Sequence, residues 1–245
     1  MTGMRVLICL AAAFAAAGLS VAVFNAVPAG WLCDYGEQPG AELSGKRLLW
    51  KPHGIVMVLI LAAAFISLYQ QYRNSFYFYV CCIIAIVLLL TGTADLKYRI
   101  IPDQFVLALL PPVLALDCFD LIVKNRALHS GWVSPVLGAA ASAGLMLAMG
   151  LFGRLAYQKE ALGFGDVKLF SAVGLLAGFP YVFLLFLMTI LLAFFHIVLL
   201  LIRRKILKNL YLPLGPYICL ATLLFLAFHS QISSFAGWYL SLLNL

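Results

Sequence analysis

The chain has 245 residues, 65% of them hydrophobic and only 10% charged, and its mean hydropathy is +1.07. Soluble domains are roughly 45–50% apolar, so this composition excludes a soluble domain of useful size and describes a membrane protein. The net charge of +7 does not point to nucleic acid, because Lys and Arg stand in short clusters between apolar runs rather than along one basic face.

Crossing the hydrocarbon takes about 20 apolar residues per helix, and the apolar runs predict an all-α, polytopic bundle of about eight transmembrane helices. The first covers about residues 4–27, and the second about 54–69, after the polar stretch CDYGEQPGAELSGKR. The third to fifth cover about 75–94, 104–123 and 132–156. A short sixth follows LGFGD at about 167–178, a seventh covers about 180–202, and the last starts near Pro213 and ends near the C-terminus. Arg5 ahead of an Ala-rich run also resembles a secretory signal peptide, but the run is longer than such a segment's usual apolar core and leads into more membrane.

The six cysteines, Cys9, Cys33, Cys81, Cys82, Cys118 and Cys219, include no CxxC pair and fall mostly in apolar runs. Buried thiols acting as small hydrophobes account for them better than a metal site or a disulfide framework. No metal and no cofactor is expected.

Cytoplasmic loops carry the excess of Lys and Arg. With eight spans and the N-terminus outside, Lys46, Arg47, Lys51, Lys97, Arg99, Arg154, Lys159, Lys168, Arg203, Arg204, Lys205 and Lys208 fall on the cytoplasmic side, and Arg5, Arg73, Lys124 and Arg126 on the other. That bias places the 95–103 loop and the loop ending at Asp166 on one cytoplasmic face.

Nine acids stand in the chain. Asp34, Glu37, Glu42 and Glu160 lie in polar stretches, and Asp117 and Asp120 suit an interfacial position near the outer end of the fourth helix. Asp103, after Pro102, suits a helix start and a structural role. Asp95 closes an apolar run at the membrane boundary, where an unpaired charge costs several kcal/mol. Asp166 follows Gly163 and Gly165, residues that permit positive φ or close backbone approach; a glycine turn with a capping aspartate is its plain alternative. Two acids on one face suggest a carboxylate dyad, in which one member ionises and the other keeps its proton. The four histidines, His53, His129, His196 and His229, read as core or interface residues.

These segments resemble those of the type IV prepilin peptidases. TADLKYRIIPDQF is similar to that family's D-x-x-x-x-x-x-P-D segment, LGFGDVKLF to its GxGD-x-K segment, and LPLGPYICLA to the P-[FL]-G-P segment that opens its last helix. FNAVPAGWLCDYGEQP is similar to the start of such peptidases from Clostridium-like bacteria. The resemblance implies a single membrane-embedded peptidase domain over 1–245, with 1–50 as first helix and short loop and 75–245 as the core. It implies an aspartic endopeptidase of the bacterial inner membrane that cuts short basic leaders from type IV prepilins or pseudopilins at the cytoplasmic face, in the service of pilus assembly and protein secretion. Asp95 and Asp166 take the catalytic positions, and Gly163, Gly165, Lys168, Pro102 and Asp103 the supporting ones. Many bacterial members also methylate the new N-terminus and carry two CxxC pairs between their first two helices. The corresponding stretch here holds Cys33 alone, which points to peptidase activity without methyl transfer.

Helix dipoles assign roles within the pair. Asp166 near a helix start favours the anion and hence the base, and Asp95 at a helix end favours the acid. Lys97 and Lys168 stand close enough in sequence to tune the pair or to meet lipid phosphate. Two further readings share these residues. An ion- or proton-coupled transporter calls for acids at mid-membrane and repeated halves; a presenilin-type intramembrane protease shares GxGD but not the IPD segment.

Overall fold

The computed structural model describes residues 3–33, 40, 45, 47–123, 131–158, 162–203 and 213–234. Asp34, Glu37, Glu42, Lys46, Lys124, Arg126, His129, Lys159, Glu160, Arg204, Lys205 and Lys208 lie outside the described residues. Eight α-helices occur among those described, in the expected order: α1 (Gly3–Ala26), α2 (Ile55–Tyr72), α3 (Phe76–Tyr98), α4 (Asp103–Val123), α5 (Ser134–Tyr157), α6 (Phe164–Ala177), α7 (Tyr181–Ile202) and α8 (Gly215–Ala227). No strand occurs among the described residues.

Among the described residues, six helices are long and apolar enough to cross a membrane: α1, α2 with the turn before it, α3, α4, α5 and α7. The other two, α6 and α8, are shorter. α6 has 14 residues and α8 has 13, about 20 Å each at 1.5 Å per residue, against a hydrocarbon core of about 30 Å.

Burial separates the helices into an interior and a jacket. α1 turns Cys9, Ala13, Ala17, Ser20 and Phe24 inward, a stripe at helical spacing whose small residues let neighbouring backbones approach. Its other faces leave Met4, Leu7, Ile8 and Phe14 exposed, as suits contact with lipid. α3, α6 and α8 are the interior helices, each buried along most of its length. Short α6 packs closely on α5 at glycines: a Cβ on Gly174 would lie 2.2 Å from Ser142 Oγ, and one on Gly138 would lie 2.3 Å from the Gly174 carbonyl. The far end of this pair is tied by Phe179 N–H to the Ser134 carbonyl (3.0 Å) and Ser134 Oγ to the Phe179 carbonyl (2.7 Å).

Asp117 and Asp120, near the end of α4, face the inside of the bundle. Both are buried, and Asp120 accepts a hydrogen bond from the Tyr77 hydroxyl at the start of α3. A buried carboxylate needs such a donor, and this one comes from 43 residues away.

Candidate active site

Three helix ends converge at one side of the bundle: the last turn of α3 and the first turns of α6 and α8. α3 stops where Arg99 adopts a left-handed conformation (φ 59°) and returns its N–H to the Asp95 carbonyl at 2.9 Å. Pro102 follows soon after and disfavours helical geometry at Ile101. Asp95 therefore sits inside the final turn of α3, not beyond it, and is 4% exposed.

α6 begins after Gly163, an extended residue (φ −73°, ψ 143°) whose carbonyl accepts the Asp166 N–H at 3.2 Å. Asp166 is in the first turn and is 7% exposed. The Gly163 N–H interacts with its carboxyl, while Oδ1 is buried with no hydrogen-bond partner. The glycines do not supply positive φ: among the described residues, Gly178 is the glycine with that geometry. Gly165 instead allows close approach, since a Cβ there would lie 3.1 Å from Ile101 Cβ. The two carboxyls are within Coulombic reach of each other.

The first-turn N–H groups of a helix have no partner within it. In α8, Leu214 accepts from Tyr217 (3.1 Å) and Ile218 (3.2 Å), and Pro216 has no N–H to place, as suits the first turn. The Gly215 N–H is thus free to donate to Asp95 Oδ2, at 2.9 Å. Glycine lets the carboxyl come this close, because a Cβ at 215 would lie 2.5 Å from that oxygen and 3.1 Å from Ile101 Cδ1. Ile101 thereby wedges between the glycines of α6 and α8. Cys219, one turn further along α8, is buried within the field of both aspartates. Gly215, Ile101 and Cys219 received no role from the sequence; the LGP run at the head of α8 was the available signal.

The supporting charges pair away from the aspartates. Lys168 Nζ donates to both oxygens of Asp103 at 2.8 Å, joining the first turns of α4 and α6 in a half-exposed ion pair. Its ammonium also lies 5.1 Å from the Phe164 ring centroid. Lys97 donates to the Arg47 carbonyl, and Arg47 turns inward to the carbonyls of Phe24 and Val27 at the end of α1. His196 shares a hydrogen bond with the Tyr217 hydroxyl. Among the described residues, no cluster of three or more His, Cys, Asp or Glu is grouped to hold a metal ion.

Fold and site together define a polytopic helical membrane protein with two buried carboxylates at one end of its interior helices. Residues 82–202, a segment that holds both aspartates and Lys168, match the model of the Type IV leader peptidase family. It is 27% identical over 181 residues to a Legionella pneumophila protein named prepilin leader peptidase/N-methyltransferase, covering 71% of this chain and 58% of the relative. A Vibrio cholerae protein of the same name is 30% identical over 137 residues, covering 54% of this chain and 53% of the relative. The chain thus spans little more than half the length of these relatives. No solved structure matches it.

Proposed function

We propose that the chain is a membrane aspartic endopeptidase that removes the short basic leader of type IV prepilins or pseudopilins, with Asp95 and Asp166 as its catalytic pair. The observation that carries the reading is the burial of these two carboxylates within each other's field at three converging helix ends. The match to the family model over residues 82–202 supports it, as do the names of the two relatives. The cytoplasmic face is proposed from the Lys and Arg bias alone.

Roles within the pair reverse the dipole assignment made from sequence. Asp166 does stand at the start of α6, but Asp95 also faces a helix start, that of α8, and accepts its Gly215 N–H. Each carboxyl meets one backbone N–H, Gly215 for Asp95 and Gly163 for Asp166, but Asp166 also keeps Oδ1 buried without a partner. Hydrogen bonding to the charged form favours it, so Asp95 is the resting anion and Asp166 holds the proton. Asp95 takes a proton from water as its oxygen attacks the scissile carbonyl carbon, and Asp166 donates to the carbonyl oxygen. Collapse of the tetrahedral intermediate breaks the C–N bond; the amine leaves with the proton held by Asp95, and Asp166 recovers its own from the intermediate's hydroxyl. The reading covers peptide hydrolysis only; methyl transfer, part of both relatives' names, is left out because the stretch between the first two helices carries Cys33 alone.

Asp95→Asn and Asp166→Asn, each co-expressed with a prepilin and followed by the mobility shift of leader removal, test the assignment. Each is expected to lose processing while remaining in the membrane fraction. Full processing by either sinks it.

A further inference from the structure

A groove of about 580 Å³ lies beside the aspartate site but outside it. On α3 its lining is Leu88, Leu89, Gly92, Thr93, Leu96 and Lys97, one continuous helical face, and the opposite walls come from α2 and α8. Asp95 is on the neighbouring face of α3. Gly92 closes the boundary, since a Cβ there would already touch Cys219 Cβ at 3.5 Å and Pro216 Cα at 3.6 Å. Neither Asp95 nor Asp166 lines the groove.

The groove has the depth of one leaflet. Leu88 to Lys97 spans about 14 Å of helix, close to half of the roughly 30 Å hydrocarbon core. Its floor is apolar, with Met57, Ile60 and Leu223 among the lining. Its polar groups gather toward the end where α3 stops and α2 starts, the level of the membrane surface. Lys97 is exposed there and lines the groove beside His53; exposed Lys51 adjoins Pro52 of the rim. Lys97 uses one N–H on the Arg47 carbonyl, and an ammonium has three. Tyr217, by contrast, has its hydroxyl engaged by His196. A cationic mouth over an apolar channel of leaflet depth complements an anionic headgroup with an acyl chain beneath it.

We propose that this groove binds an anionic phospholipid from the leaflet on the aspartate side, with an acyl chain along α3 from Leu88 to Leu96 and the headgroup phosphate at Lys97. A basic side chain near an anionic lipid surface is worth about 1 kcal/mol, so headgroup preference at this site is about fivefold.

The test uses the full chain in phosphatidylcholine nanodiscs doped with a phosphatidylglycerol carrying a diazirine midway along one acyl chain. After photolysis, adducts are mapped by peptide mass spectrometry. Adducts are expected to concentrate on the peptides holding Val56–Ile60 and Leu220–Leu223, about fivefold above those of the exposed α7 face at Phe194 and Phe195, and about fivefold above a phosphatidylcholine probe. Lys97→Gln reduces labelling to the phosphatidylcholine level, and Leu96→Trp or Leu220→Trp, which fill the groove from exposed positions, reduce it for both lipids; unchanged circular-dichroism melting shows that these variants fold. Labelling spread in proportion to exposure overturns the proposal, and so does groove labelling indifferent to headgroup and to Lys97→Gln. Displacement of the lipid by a pilin-type hydrophobic peptide assigns the groove to substrate and also overturns it. The readout does not depend on catalysis, so its failure leaves the peptidase reading untouched.

Discussion

Gly215→Ala separates a catalytic geometry held by α8 from one set by α3 and α6 alone. The added methyl would lie 2.5 Å from Asp95 Oδ2 and 3.1 Å from its Cγ, whereas ordinary carbon–oxygen contact is about 3.5 Å or more. The carboxyl must retreat by about 1 Å and surrender its 2.9 Å hydrogen bond to the Gly215 N–H. A hydrogen bond to a charged group contributes about 1.5–3 kcal/mol, so loss of the ionised Asp95 in its attacking position lowers the processing rate about 10- to 150-fold. Gly92→Ala is the matched control on the same seam, because its methyl would meet Cys219 Cβ at 3.5 Å, an ordinary contact. The assay is the initial rate of leader removal from purified prepilin in detergent or nanodiscs, with thermal melting of each variant alongside. A Gly215→Ala protein that melts like wild type and cuts at the wild-type rate would refute the role given to α8.

Gly174→Ala drives a methyl into Ser142 Oγ at 2.2 Å and the Gly138 carbonyl at 2.8 Å. Overpacking of this kind costs about 1–3 kcal/mol, read as a lowered melting temperature, and Ser142→Gly in the same chain restores part of it. Asp103→Asn and Lys168→Gln each break the α4–α6 ion pair; with both side chains about one-third exposed, the stability loss is at most about 1 kcal/mol. The swapped pair Asp103→Lys with Lys168→Asp recovers processing lost in either single variant if the bridge positions Asp166 by charge alone, and fails to do so if Lys168 serves the substrate directly. Tyr77→Phe removes a buried hydrogen bond from Asp120 at about 1–3 kcal/mol, visible in thermal melting, with the cleavage rate at low temperature unchanged because this contact is at the opposite end of α3 from Asp95.

Much of the molecule is legible in the sequence, because the signals concerned are local. Apolar runs between polar breaks placed the first seven helices within a few residues of their observed limits and the start of the eighth within two, and LGFGD and TADLKYRIIPD marked two of the three helix ends that meet at the site. Burial was less legible, since run length in α6 and α8 does not reveal that both are interior helices, packed on protein along most of their length. The burial of Asp117 and Asp120 was not legible, because Tyr77, the donor to Asp120, lies one helix away. The GxGD glycines suggested an unusual backbone, and Gly165 proved to make room for Ile101 instead.

The sequence by itself determined a helical membrane protein, the order of its helices, and the standing of Asp95 and Asp166 at helix ends, since composition and periodicity are properties of neighbouring residues. Tertiary structure decided the electrostatic surroundings of those acids. It set the α8 N-terminus against Asp95, 120 residues away, and drew Lys168 to Asp103 rather than to either aspartate. Such surroundings depend on which helix ends pack together, and that choice rests on glycine contacts between segments far apart in the chain.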